Sequence, residues 1–137
     1  MASFLSKEWV TCLVETLNNN LEYSRAARDF EARILLEVLP TGAFSQVRCL
    51  YLDLADGKCR KANVIEDASS VEADYTFSGT YAKWIRIVTG KMDMNQAVFS
   101  GEFGLRAEMG KKRELWSNYL RAIYMLGDCM TRVPTDL

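Results

Sequence analysis

Asp56-Gly57 sits between two runs of strand-forming residues, Val47 to Leu54 and Lys58 to Ile65. A two-residue loop of this kind takes left-handed backbone angles that match the twist of the strands it joins, which makes it the strongest short-range hairpin signal in the chain. A chain built around it is not an all-parallel doubly wound sheet, because parallel neighbours need a long crossover in place of a tight turn. With these two residues as the turn, Asp53 is expected to face Arg60 as a cross-strand ion pair, Cys59 to face Leu54 and Cys49 to face Val64. Val47, Cys49, Tyr51, Ala62 and Val64 then share one face, and Leu50, Leu52 and Leu54 share the other with Lys61 and Asn63. Both faces carry apolar groups, so the face away from the helices is expected to meet a partner.

The flanking patterns extend this hairpin into an α+β order. Ser6 offers a cap to a first helix in which Val10, Leu13, Val14 and Leu17 recur at helical spacing, with Leu5 and Val10 placed as a hydrophobic staple. Asn18-Asn19-Asn20 ends it, and a second helix is expected from about Leu21 to Asp29. Ala32, Ile34, Leu36 and Val38 alternate with Glu31, Arg33 and Glu37, which reads as a half-buried strand stopped by Pro40 and Gly42. Asp74 to Ser78 is the next strand, with Tyr75 and Phe77 on one face.

Thr80 caps a helix with the apolar stripe Tyr81, Trp84, Ile85 and Val88, and Gly90 supplies its left-handed stop. Asp93 and Gln96 have capping-box spacing, opening a helix so short that it persists only if Ala97, Val98 and Phe99 are packed. Phe103, Leu105, Ala107 and Met109 alternate along a last strand, and one long final helix is expected from about Lys111. That helix carries Leu115, Trp116, Tyr119, Leu120, Ile123, Tyr124 and Leu126, an apolar arc wider than one core-facing stripe requires.

Composition excludes several classes. A chain of 137 residues suits one domain, residues 1–137, and buries roughly 68% of its unfolded surface without needing staples. With 17 basic and 18 acidic residues and no stretch that concentrates either sign, it lacks the footprint of a nucleic-acid binder. No apolar run approaches the ~20 residues that span a bilayer. The start MASFLSKEWV has no apolar stretch followed by a small-residue cleavage site, and the end Thr135-Asp136-Leu137 is not a Ser-Lys-Leu address. A cytoplasmic setting is the expectation. Cys12, Cys49, Cys59 and Cys129 are too scattered for a zinc site and read as free thiols.

An enzyme is not expected. There is no histidine, which removes the commonest general base and metal ligand. Glu102 and Glu108 lie by alternation opposite Phe103 and Leu105, as a solvated face would. Neither Ser78-Gly79-Thr80 nor Ser100-Gly101 is a nucleophile elbow, and no phosphate loop or dinucleotide fingerprint occurs. No metal or other cofactor is called for.

The stretch from Ala73 to Met109, ADYTFSGTYAKWIRIVTGKMDMNQAVFSGEFGLRAEM, combines an aromatic-rich strand, the Gly90-Lys91 stop and the Ala97-Val98-Phe99-Ser100-Gly101 bend. In this it resembles the SCP2 family of sterol-carrier and lipid-transfer domains. The resemblance covers the last half of the chain closely and the first half in the order of its elements. It implies a two-layer α+β fold, a twisted five-stranded sheet with helices mainly on one face and an apolar tunnel between the layers. It also implies binding, and transfer, of a fatty acid, acyl-CoA, sterol, phospholipid or quinone-like lipid.

Carried over by position, Trp84, Ile85 and Val88 resemble the tunnel wall, and Val98, Phe99, Phe103 and Leu105 line or floor the cavity. Leu115, Tyr119, Leu120 and Ile123 close it. On this reading Trp84, Phe99, Phe103 and Tyr119 converge on one cavity. The alternative is an interaction module that keeps the fold, fills its core, and uses its aromatic surface to form a homodimer or to dock a lipid-metabolism enzyme.

Overall fold

A computed structural model describes residues 2–42 and 46–137. Along the chain these form β1 (Ala2–Ser3), α1 (Lys7–Asn19), α2 (Leu21–Ala26), β2 (Ala32–Leu39), β3 (Arg48–Ala55) and β4 (Lys58–Ile65). A 3-10 turn at Ala68–Ser70 leads to β5 (Tyr75–Thr80), α3 (Tyr81–Val88), α4 (Met94–Phe99) and β6 (Gly104–Arg106). The chain ends in α5 (Met109–Asn118), α6 (Leu120–Arg132) and β7 (Thr135–Asp136). Five strands make one mixed sheet in the order β4-β3-β2-β5-β6, in which only the β2–β5 pairing is parallel. β1 pairs with β7 in a separate two-stranded ribbon, and Trp9 Nε1 donates to Thr135 Oγ1 at 2.8 Å beside it.

Asp56 and Gly57 turn the β3–β4 hairpin with φ of 52° and 73°, as a tight hairpin loop demands. Leu54 faces Cys59 as expected, but the register then slips, so that Asp53 lies opposite Lys61 and Cys49 opposite Ile65. Arg60 is the extra residue of a β-bulge, and it still reaches Asp53 Oδ1 at 2.9 Å. The slip corrects the expected faces: Ala62 and Val64 stand opposite Leu52 and Leu50, not with Cys49 and Tyr51. One helix-facing row therefore crosses the whole sheet as Leu105, Phe77, Leu36, Leu50 and Val64.

The opposite face is not the bare apolar surface expected of it. Leu35 and Cys49 are buried there. β4 and β5 run in the same direction, so residues 66–74 must return the length of the sheet, and the charge of Asp67 acts on Cys49.

In the helical layer α6 contacts α1, α2, α3, α4 and α5. It buries Ala122, Ile123, Met125, Leu126, Gly127, Cys129 and Met130. The wide apolar arc thus reflects a helix enclosed by other helices. The single final helix expected from Lys111 is instead two, starting at Met109 and broken at Tyr119, whose φ of −126° leaves the helical range. Met109 belongs to that helix and is exposed, and the last strand is only Gly104–Arg106.

Candidate functional site

The region around α3, α4, β6, α5 and the start of α6 holds every residue assigned above to a ligand site. Thr80 caps α3 by accepting from the Lys83 amide, and Gly90 ends the segment at φ 77°. This turns Trp84 and Val88 into the core and leaves Ile85 half-buried. Trp84 donates its indole N–H to the Glu37 carbonyl at 2.9 Å, anchoring α3 to β2. Asp93 caps α4 by accepting from the Gln96 amide at 2.8 Å.

Within α4, Met94 and Ala97 are buried and Val98 is half-buried, but Phe99 is 60% exposed. The expectation that Phe99 packs inward is therefore corrected. Two turns of helix turn only one face to the core, and Phe99 lies on the other.

The four aromatic side chains expected to converge on one cavity divide into separate pairs. Trp84 meets Phe103 edge-on with ring centroids 4.7 Å apart. Phe99 lies 6.2 Å from Trp116, and Tyr119 lies 4.7 Å from Phe30, its hydroxyl donating to the Asp29 carbonyl at 3.2 Å. Trp84, Val88, Phe103, Leu115 and Ile123 belong to the continuous buried core, while Ile85, Val98, Leu105 and Tyr119 are half-buried against it. Leu120 is half-buried at the first residue of α6.

α5 sits shallowly over this region. Of its ten residues only Leu115 is buried. Its first turn is tethered by Asp74, which pairs with Lys111 and also accepts from the Arg33 amide at 2.7 Å, and by the Tyr75 hydroxyl donating to the Lys111 carbonyl at 3.0 Å. Burial pushes the Asp74 carboxyl up, but the Arg33 amide, the Lys111 hydrogen bond and the charges of Lys111 and Arg33 together hold it below its usual value. No local pattern announces this tether, because it joins residues 37 positions apart.

Several clefts open on the described surface. One of about 400 Å³ lies between the start of α1 and the β4 edge, floored by Leu5, Val10, Ala62 and Val64 and flanked by Lys7 and Arg48. Among the described residues neither cation has an ion-pair partner. This cleft exists only because α1 crosses β4, so no local motif announces it. A polar cleft of about 600 Å³ on the other face of the sheet is lined by paired charges, Arg33 with Asp74 and Arg60 with Asp53. Smaller ones, about 210 and 120 Å³, lie beside Tyr119 and beside Gly127. Of the assigned residues only Tyr119 lines any of these four.

Burial pushes the Cys49, Cys59 and Cys129 thiols up to about 11, opposite to the depression that activates a nucleophile. Among the described residues no cluster of His, Cys, Asp and Glu is arranged to hold a metal ion, and no helix is long and apolar enough to cross a membrane.

No functionally curated protein matches the sequence. Among solved structures, the chain is similar to a crystal structure of sterol carrier protein 2, at 25% identity and a TM-score of 0.86 over 96% of this chain and 100% of that one. It is similar in fold to a conserved hypothetical protein from Thermus thermophilus, at 23% identity and a TM-score of 0.85 over 99% of this chain and 93% of that one. It also shares the fold of the sterol carrier protein domain 2 of Helicoverpa armigera, at 16% identity and 0.55 over 95% and 91% of the two chains. The SCP-2 sterol transfer family model matches residues 13–115, and the chain belongs to that family.

Proposed function

We propose that residues 1–137 form one non-catalytic domain that carries a single hydrophobic molecule between its sheet and helices, reached by displacement of α5. Family membership supports the ligand class, and the shallow seating of α5 is the observation that supports the site. Exposing Leu115 costs roughly 1.5–3 kcal/mol, whereas burying an alkyl chain gains about 0.8 kcal/mol per CH₂. A ligand of more than a few methylenes therefore offsets the exposure of Leu115, and a longer one the loss of the Asp74 and Tyr75 contacts to Lys111 as well. Trp84, Ile85, Val88, Val98, Phe103, Leu105, Leu115, Tyr119, Leu120 and Ile123 are the proposed lining, without the outward-facing Phe99, and fatty acids, acyl-CoA esters, sterols, phospholipids and quinone-like lipids are the candidate ligands.

The cleft beside α1 favours a second reading of where that ligand sits. Its volume falls in the range of small-molecule pockets, roughly 300–1,000 Å³, and Lys7 and Arg48 at its rim suit an acidic head group. The filled packing around Trp84 and Phe103 instead favours the interaction-module alternative. Native mass spectrometry of the purified protein, before and after organic extraction, separates binding from a filled core. A bound mass lost on extraction supports carriage. A bare chain that takes up no added lipid supports the module.

A further inference from the structure

Tyr23 is the exception among the buried polar rings. Trp9 and Trp84 donate their indole N–H groups to Thr135 Oγ1 and to the Glu37 carbonyl, and the Tyr75 hydroxyl donates to the Lys111 carbonyl. The Tyr23 hydroxyl alone, of the buried side-chain oxygens and nitrogens among the described residues, has no hydrogen-bond partner. The residue is 1% exposed. A phenylalanine would fill the same space without forfeiting the hydration of a hydroxyl, so an orphaned donor at this depth calls for a partner.

The ring is fixed through the junction of α1 and α2. Asn20 Oδ1 accepts from the Tyr23 amide at 2.8 Å, while Asn18 accepts from the Cys59 amide at 2.7 Å and donates to the Cys59 carbonyl at 3.1 Å, pinning that junction to β4. Cys59 of β4 and Cys129 of α6 are near enough for the charge of either thiolate to act on the hydroxyl, which places it between the sheet and α6. Neither thiol pairs with it, and Cys59 Sγ donates instead to the Lys61 carbonyl at 3.5 Å. Burial first, and then these two thiols, raise the pKa of the hydroxyl, so its surroundings disfavour negative charge. Tyr23 lines none of the clefts described above, and its partner therefore belongs to the layer between sheet and helices.

We propose that Tyr23 is the polar anchor of the carried molecule, donating to a neutral hydroxyl or carbonyl oxygen at one end of it and so selecting such lipids over carboxylates. This rests on the carriage reading and deepens it by assigning the end group. A neutral oxygen exchanges a hydrogen bond to water for one to Tyr23, whereas a carboxylate would lose its hydration where the groups acting on Tyr23 include no cation.

Calorimetric titration with decan-1-ol and with decanoate at pH 8, where decanoate is ionised, tests the anchor at equal chain length. Wild type should bind the alcohol at least about tenfold more tightly. Tyr23→Phe should weaken the alcohol on the order of tenfold and leave decanoate unchanged. The unliganded variant should unfold at the same urea midpoint as wild type or a higher one, because it loses an unpaired buried hydroxyl. The anchor is overturned, with carriage left standing, if decanoate binds as tightly as the alcohol, if Tyr23→Phe changes both affinities equally or neither, or if its urea midpoint falls. Wild type that binds neither compound contradicts carriage itself and the anchor with it.

Discussion

Phe103 lies so close over Gly79 that a Cβ at position 79 would stand 2.6 Å from its Cε2 atom. The glycine in β5 is therefore required by the ring above it, and the ring in turn braces Trp84 edge-on. Gly79→Ala is expected to cost about 1–3 kcal/mol through overpacking. A urea titration would show it as a lower midpoint, and combining it with Phe103→Leu should recover part of the loss. Equal midpoints for wild type and Gly79→Ala would show that the ring moves freely.

Asp74 couples the sheet to α5. Its folded-state pKa is lowered, so its contribution is present above the unfolded carboxylate value, ~3.9, and is lost as pH falls through the lower folded value. Asp74→Asn at neutral pH should remove the same charge and release the first turn of α5 by about 1 kcal/mol. Hydrogen exchange should then quicken at residues 109–118 before it quickens in β2 or β3. Uniform exchange across the chain would contradict the tether.

The buried thiols set the alkaline limit. Cys49, Cys59 and Cys129 are acids held neutral by burial up to about 11, so their contribution is intact below the unfolded thiol value and is lost as pH rises from there. Stability should fall above about pH 9, by at most about 1.4 kcal/mol per pH unit for each thiol. In the native protein at pH 8 a thiol reagent should label the half-buried Cys12 first and the other three only at the rate of opening. Rapid labelling of all four would contradict the burial.

Local chemistry made much of the fold legible. Asp56-Gly57, the Thr80 and Asp93 caps and the alternation from Ala32 to Val38 each announce their element through backbone rules that act over a few residues. What the sequence concealed depends on contacts across the fold. The bulge at Arg60 moves Ala62 and Val64 to the helix side, yet nothing in Lys58 to Ile65 marks it. Tyr119 breaks a continuous helical pattern where its ring meets Phe30 and its hydroxyl meets Asp29. Phe99 reads as packed because so short a helix calls for it, and only the tertiary structure shows that it meets Trp116 outside the core.

The central claim is that this chain takes up one hydrophobic ligand beneath α5. Titration of a fluorescent fatty-acid analogue, with displacement by unlabelled acyl, sterol and quinone compounds, tests it most directly. Leu120 is the residue to vary, since it is half-buried at the start of α6 and can accept a charge without emptying the core. Saturable one-to-one binding is predicted, weakened at least about tenfold by Leu120→Asp because a charge beside a dry site is poorly solvated. Absence of saturable binding to every probe, with the protein folded by circular dichroism, would contradict the account.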